Sequence, residues 1–300
     1  MTRSFTAIVY RRAPASDLPR PLRRWIHEIY EVEFRPHGEE PVRFPVSATT
    51  APFSNVTLSG SVRIRIGSEF SLPPVTLAGP RPEMYVAEVA GTVRGFYVRF
   101  STVGPLALLG VDDYSLGPEG ARSLHAMVRP ELRTATEAWG RALLEASGFE
   151  ERLERATRFF LRHGHEPDAR ARLLERAVEI LEETGGTLRV DELARRLAVS
   201  PSTLRRRFTA LGVPPKRFAS VLRFRRAHAY LSTTPGATWA DVVARFGYSD
   251  QAHLVRDYRR FSGAPPTRWD AGHRGVDRRM GIEEPLEEPG PADPPPPTAP

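Results

Sequence analysis

The chain has 300 residues, no cysteine and a formal net charge of +7. A chain of this length can hold two or three domains, each with its own hydrophobic core. The absence of cysteine excludes disulfides and thiolate metal sites, and no apolar stretch approaches the roughly 18 residues needed to cross a bilayer. We therefore predict a soluble intracellular protein with no membrane partner.

The positive charge is concentrated in the C-terminal third of the sequence. Residues 185–270 contain sixteen Lys or Arg against six Asp or Glu, a balance of +10, which leaves −3 for the rest of the chain. Such clustering on one domain indicates a polyanionic partner, most often nucleic acid. An arginine-biased composition accounts for the single lysine, Lys216, but not for an excess confined to one region.

Residues 1–120 are predicted to form a β-rich module, a cupin-like or other small barrel. Phe96, Val98 and Phe100 share one face of segment 93–100, which is the period of two of a half-buried strand. Three further segments have strand character: 5–10, 61–67 and 84–90. Turn-rich pieces containing Pro and Gly separate these segments. With the helices that follow, the module predicts an α+β multidomain protein.

Residues 121–184 are predicted to form a helical linker or dimerisation region. From residue 130 onward the sequence is rich in Ala, Leu, Glu and Arg, with apolar residues at helical spacing. These helices could cover one side of the barrel or pair with a second chain. The sequence leaves both arrangements open.

A first helix-turn-helix follows the glycine pair at 185–186. Leu193 and Leu197 lie on the inner face of its first helix, and Ala198 begins the turn. Ser200 is suited to cap the second helix, and Pro201 to its first position. Four side chains of that second helix are predicted to face outward: Ser202, Thr203, Arg205 and Arg206.

A second helix-turn-helix occupies residues 238–262. One apolar stripe contains Val242, Val243, Ala244 and Phe246, and the next contains Leu254, Val255, Tyr258 and Phe261. The connection is so short that the helices must cross steeply, and Gly247 can adopt the left-handed conformation that such a corner requires. The exposed N-terminal half of the second helix is polar and cationic. Side chains of this kind can contact base edges and phosphates when a helix lies in the major groove of DNA.

The two units are followed by the same turn, G-x-P-P-x-R-aromatic, at 212–218 and at 263–269. Glycine ends a helix and proline prevents its continuation, so the repetition indicates an internal duplication. Segment 215–231 reads as a long helix between the units. These features define a DNA-binding domain over 185–270, and the Pro-rich segment 271–300 is predicted to be disordered.

Residues 185–270 closely resemble the DNA-binding domain of the AraC/XylS family of bacterial transcription regulators. The first motif is DELARRLAVSPSTLRRRF and the second, more specific one is VVARFGYSDQAHLVRDYRRFSGAPPTRW. Tyr258 stands where the family usually has Phe, and Ala198 where the turn often has Gly. Residues 1–180 more weakly resemble the small β-rich module of one branch of this family.

The resemblance implies a cytoplasmic protein that associates with the nucleoid when bound to double-stranded DNA. It implies a transcription regulator, taken as an activator with RNA polymerase as a partner, although the sequence does not separate activation from repression. In this family one chain carries two recognition helices joined by a rigid helix. Such helices would lie in successive major-groove segments, about one turn or ~34 Å apart.

The predicted DNA-binding residues are Ser202, Thr203, Arg205, Arg206, Asp250, Gln251, His253, Arg256 and Arg260. Arg206 and Arg256 suit guanine, because a guanidinium matches O6 and N7 together, and Gln251 suits adenine. Asp250 either reads a base or caps its helix. His253 is expected to pack or to face a phosphate rather than to read a base.

We predict no catalysis, no cofactor and no metal, because the predicted strands carry no H-x-H pair and no phosphate loop follows a strand. Two functions remain for the N-terminal module: sensing a small-molecule effector, or only forming a homodimer or binding a partner protein. A remote third reading is a metal-dependent cupin-like enzyme fused to a DNA-binding domain.

Overall fold

The computed structural model describes residues 5–66, 68–111, 114, 121–165 and 167–263. An antiparallel sheet comes first, helices cover it, and two helix-turn-helix units follow. No helix in these ranges is both long and apolar enough to span a membrane. The predicted tail at 271–300 and the second copy of the glycine–proline turn after Gly263 lie outside the described residues.

Strands dominate the first 100 residues, and helices dominate the rest of the chain. The strands are β1 (Phe5–Pro14), β2 (Ile26–Pro36), β3 (Val42–Val46), β4 (Phe53–Ile66), β5 (Ser68–Ser71), β6 (Val75–Ala78), β7 (Tyr85–Phe100) and β8 (Ala121–Ser123). The helices are α1 (Gly104–Leu109), α2 (Leu124–Met127), α3 (Arg133–Glu145), α4 (Phe149–His163), α5 (Ala169–Glu183), α6 (Val190–Arg196), α7 (Pro201–Phe208), α8 (Pro215–Thr233), α9 (Trp239–Arg245) and α10 (Gln251–Ser262).

The sheet is antiparallel, in the order β1-β2-β7-β4-β6-β8, with β3 also paired to β7 and β5 to β4. Strand β7 is continuous, so the prediction of two separate strands at 84–90 and 93–100 was wrong. Gly60 of β4 and Gly91 of β7 have φ of +73° and +67°, close to register shifts in the ladder between these strands. Glycines on both partners let the two strands bend together without a break.

Strand β2 was not predicted, although its sequence has the required alternation. Tyr30, Val32 and Phe34 face one core, while Glu31 and Glu33 are 0% and 8% exposed on the other side. Glutamates are seldom buried unless paired, and these two contact arginines. The alternation of a strand is therefore present in β2, but both of its faces are buried, and the glutamates on one face do not have the apolar character expected of buried residues.

The two faces of the sheet bury different cores. On one face, Phe96 and Phe100 pack against Phe149 and Phe160 of α4, with ring centroids 6.2 and 5.7 Å apart. On the other face, Tyr30 and Tyr97 stack with centroids 5.1 Å apart. The predicted helices over 130–184 form α3, α4 and α5. Of these, α3 and α4 pack on the sheet, which is the first of the two arrangements that the sequence left open.

Helix α5 packs on α6, α7 and α8 through the same core. The domain boundary predicted between residues 184 and 185 therefore separates this helix from its packing partners. Helix α8 contacts two cores: Phe218 and Leu222 join the core shared with the N-terminal domain, whereas Val221 and Phe224 join that of the second helix-turn-helix.

Arg152 ties the helices to the sheet. Its Nε and Nη2 donate to the carbonyls of Leu143 and Ala146 at 3.0 and 2.7 Å, at the C-terminal end of α3. Its Nη1 donates to Glu31 Oε2 at 3.1 Å. Both side chains are almost fully buried, so removing Arg152 takes a charged donor from two carbonyls and leaves Glu31 with Arg94 alone among the described residues.

We expect Arg152→Met to lower the free energy of unfolding by about 1.5–3 kcal/mol, since two carbonyls would lose a charged donor and Glu31 would keep only Arg94. Denaturant unfolding of the full chain measures this loss. Arg158→Met on the same helix is the matched control, because Arg158 forms an exposed pair with Glu154 and should leave the midpoint nearly unchanged. Equal effects of the two substitutions would contradict the structural role of Arg152.

Candidate nucleic-acid interface

The first helix-turn-helix consists of α6, a short turn and α7. Ala198 in the turn has φ of +52°, and it is the one non-glycine residue with positive φ among the residues described. Ser200 Oγ accepts a hydrogen bond from the Thr203 amide at 3.1 Å, and Pro201 occupies the first position of α7. Leu204 and Phe208 are fully buried. The predicted cap is confirmed, and on the predicted inner face of α6 Leu193 is fully buried while Leu197 is half-buried.

The second unit consists of α9, a turn and α10. Thr238 and Asp241 form a reciprocal capping box at the start of α9. Gly247 has φ of +67°, as predicted, and a Cβ there would lie 3.0 Å from Thr187 Cγ2. Ala244, which the sequence placed on the apolar stripe, is exposed instead, whereas Val242 of the same helix is fully buried.

Asp250 caps α10. Its Oδ1 accepts a hydrogen bond from the His253 amide at 2.7 Å, and its Oδ2 accepts one from Ser249 Oγ at 3.1 Å. The hydrogen bond from the His253 amide holds the pKa of the Asp250 carboxyl below its usual value. In this conformation both carboxylate oxygens have partners within the turn.

The predicted DNA-binding residues lie on the second helix of each unit. The exposed ones are Ser202, Arg205, Arg206, Asp250, Gln251, Arg256 and Arg260, and the half-buried ones are Thr203 and His253. The His253 ring packs edge-on against Tyr248 with centroids 5.2 Å apart, and its Nε2 lies 3.8 Å from Asp257 Oδ2. His253 is thus positioned by packing within its own unit.

Three of the four arginines predicted to bind DNA differ from the arginines of α6 in that they form no ion pair. Arg195 and Arg196 on α6 both contact Glu192. Over the described part of the chain, no ion pair forms at Arg205, Arg206 or Arg256. An unpaired guanidinium can meet a phosphate or a guanine without first breaking an ion pair.

Arg223 was not identified from the sequence, since it is one of five cations of α8 and no local pattern distinguishes it from the others. It projects from α8 over the Tyr248 ring, 5.1 Å from the centroid, and its Nη2 lies 3.9 Å from Asp257 Oδ2. Burial raises the pKa of the Asp257 carboxyl. Arg223 therefore joins the connecting helix to both the turn and the second helix of the second unit.

The N-terminal domain contacts the second unit directly. The Ala48 amide donates to the Phe261 carbonyl at 2.8 Å, and Arg225 Nη1 donates to Thr49 Oγ1 at 2.7 Å. Arg260 Nη2 lies 3.0 Å from Glu83 Oε1. A cleft of about 640 Å³ lies between the N-terminal domain and α10. It is lined by Glu83, Met84, His253, Arg256, Asp257 and Arg260.

Residues 193–272 match the family described as "Helix-turn-helix domain". No curated protein matches the chain. The structure is similar to ToxT from Vibrio cholerae, with a TM-score of 0.44 and 8% identity over 89% of this chain and 97% of that one. It is also similar to the AraC-like transcriptional activator CuxR, with a TM-score of 0.25 and 18% identity over 72% and 82% of the two chains.

The match to the domain family confirms the predicted resemblance over the C-terminal region. This region is an AraC-type helix-turn-helix domain, the DNA-binding domain of transcription regulators.

The two turns allow a matched test of backbone strain. Ala198→Gly should stabilise the protein by about 0.5–1 kcal/mol, because relief of the left-handed conformation exceeds the entropy gained by the unfolded chain. Gly247→Ala should destabilise it by about 1 kcal/mol or more, since it adds that strain and crowds Thr187. Thermal unfolding of both variants measures the two shifts, and shifts of the same sign would contradict the assignment of the turns.

Proposed function

We propose that this chain, which carries an AraC-type helix-turn-helix domain, is a sequence-specific transcription regulator that reads DNA with two recognition helices, α7 and α10. The observation that carries the proposal is the pairing of two capped helix-turn-helix units on one continuous helix. Each unit exposes a polar or cationic surface on its second helix. The shared helix α8 fixes how these surfaces are spaced.

The length of α8 suits recognition of successive grooves. Its 19 residues correspond to about 28 Å of helix, comparable with the ~34 Å between major-groove segments on one face of DNA. With α7 in one groove and α10 in the next, Arg206 and Arg256 would read guanine and Gln251 adenine. Asp250 is proposed as a cap rather than a reader, because its oxygens already accept hydrogen bonds.

Selection of bound duplexes from a random DNA pool, with the full chain, tests this function. We expect an enriched asymmetric site with two information blocks separated by about one helical turn. Retention that depends on salt but enriches no sequence would instead show a general nucleic-acid binder.

Arg256→Ala should relax the preference at one base pair of the selected site and cost about 1–3 kcal/mol of specific binding free energy. Arg206→Ala should do the same in the other block. Arg158→Ala, which removes an arginine from the N-terminal domain, is the control for the change in net charge. The affinity of each variant protein is measured on every single-base variant of the site. An equal loss of affinity on all of them would show that the arginine contacts a phosphate rather than a base.

We propose that the N-terminal domain regulates DNA binding through its contact with α10. The contact sets Glu83 against Arg260, which is also a predicted DNA-binding residue. A carboxylate at this position repels DNA phosphates and holds a cation that could otherwise meet one. A ligand or partner that displaced the segment around Glu83 would free Arg260 and strengthen DNA binding.

Glu83→Gln should therefore raise the affinity of the full chain for its site several-fold at low salt, with a smaller gain at high salt because the effect is electrostatic. Arg260→Ala should lower the affinity. In the Arg260→Ala background, the gain from Glu83→Gln should shrink, which a double-mutant cycle measures. If the effects of the two substitutions on the binding free energy simply add, the two side chains act independently.

Two roles of the N-terminal domain remain distinct proposals. A small-molecule effector would change operator affinity when added to the purified chain, whereas a dimerisation or partner module would change the mass measured by sedimentation without any ligand. RNA polymerase is proposed as the partner in activation, which transcription from a promoter with the selected site tests. In the described residues, no three His, Asp or Glu side chains gather as metal ligands; elemental analysis tests the remote metalloenzyme alternative.

A further inference from the structure

A second cleft, of about 440 Å³, lies where the two helix-turn-helix units meet. One wall is a face of α8, on which Lys216, Ser220 and Arg223 recur at i, i+4 and i+7 and so project to the same side. The opposite wall is segment 186–191, which leads into α6 and contributes Arg189. The proposed base-reading residues of α7 and α10 do not line this cleft.

The chemistry of the cleft favours an anion. Arg189, Lys216 and Arg223 contribute three cations and Ser220 a hydroxyl, against the single carboxylate of Asp191. Lys216 is the only lysine of the chain. Arg189 and Lys216 are exposed and form no ion pair in the part of the chain that the structure describes. Their charge is therefore available to a ligand.

Arg223 is held in place at the base of this cleft. Its Nη2 lies 3.4 Å from Ser220 Oγ, while the opposite side of the guanidinium faces the Tyr248 ring. Stacking on one side and a hydroxyl on the other fix a planar, permanently charged group. Its Nε is buried and has no hydrogen-bond partner among the described residues, and its Nη2 also lies 3.9 Å from Asp257 Oδ2.

The cleft lies beside the junction of the two helix-turn-helix units. Thr187 in its wall approaches Gly247 in the turn of the second unit, while Lys216 begins the helix that follows the first unit. If α7 and α10 occupy successive major-groove segments, the backbone between those segments must pass this junction. Arginine, lysine and hydroxyl groups are the usual partners of DNA phosphates.

We infer that Arg189, Lys216, Ser220 and Arg223 form a seat for a phosphate of the DNA backbone between the two recognition segments. This inference rests on the proposed function and deepens it, because it assigns the junction a share of DNA affinity that carries no sequence information. A phosphate held there sets the register of the duplex on both units together. The seat would therefore also limit how far the DNA can shift along α8.

The test compares Lys216→Gln and Arg189→Gln with Arg158→Gln in the full chain, after thermal unfolding shows that all three fold normally. Affinity is measured over a range of salt for the selected site and for a scrambled duplex. Each cleft variant should weaken both duplexes by the same factor, leave the base preference unchanged, and reduce the slope of log K against log [salt] by about 0.9, the loss of one phosphate contact. Arg158→Gln should change neither slope nor affinity.

A duplex with one neutral methylphosphonate in the segment between the blocks provides the second arm. On the wild-type protein it should lose affinity, and on Lys216→Gln it should lose little more, because the contact is already absent. An unchanged salt slope in both cleft variants overturns the inference even if the wild type enriches a two-block site. Failure to enrich any site would instead remove the proposed function itself.

Inorganic phosphate and pyrophosphate, titrated by calorimetry, distinguish a free anion from the DNA backbone. Binding of either ion that Lys216→Gln abolishes, together with an unchanged salt slope on DNA, would assign the cleft to a free anion and overturn the inference. Weak or absent binding of the free ions, with the slope reduced, supports the seat for backbone phosphate.

Discussion

The arrangement of this protein depends on one helix that is apolar on two sides. Phe218 and Leu222 of α8 pack into the core of the first unit, and Val221 and Phe224 pack into that of the second. Because both cores are close-packed, α8 can neither slide nor rotate without opening one of them. Each residue of an α-helix advances by about 1.5 Å and a little over a quarter of a turn, so the separation and the mutual rotation of the two units are fixed together. The function proposed above requires just this rigidity.

Charge pairing divides the molecule into two kinds of surface. Acids in the N-terminal domain are matched by arginines even in the core, as at Glu31 and Glu88. In the C-terminal domain, Arg205, Arg206 and Arg256 have no carboxylate partner among the described residues. A paired cation contributes mainly to local geometry, whereas an unpaired one contributes to the field that attracts a polyanion. The charge that is unevenly distributed along the sequence is thus also unevenly distributed over the surface.

Contact between the domains occurs at the end of α10 opposite to its base-reading end. Ala48 and Glu83 meet Phe261 and Arg260 in the last turn, about two helical turns beyond Gln251. Gln251 lies outside this contact, whereas Arg256 lines the cleft that Glu83 and Met84 share with α10. Arg225 of α8 also contacts Thr49. Residues 48–49 of the N-terminal domain therefore contact both α8 and α10, the two helices that define the position of the second unit.

Local sequence patterns were enough to predict the two helix-turn-helix units, the cap at Ser200 and the turn at Gly247. These features are local: Ser200 caps an amide three residues away, and Gly247 needs only its own freedom of φ. The continuity of β7, the packing of α5 with the DNA-binding helices and the contact of Arg260 with Glu83 could be seen only in the folded chain. That ion pair joins residues 177 positions apart. No local pattern encodes such a pairing, because it forms only once separate cores have packed and brought distant side chains together.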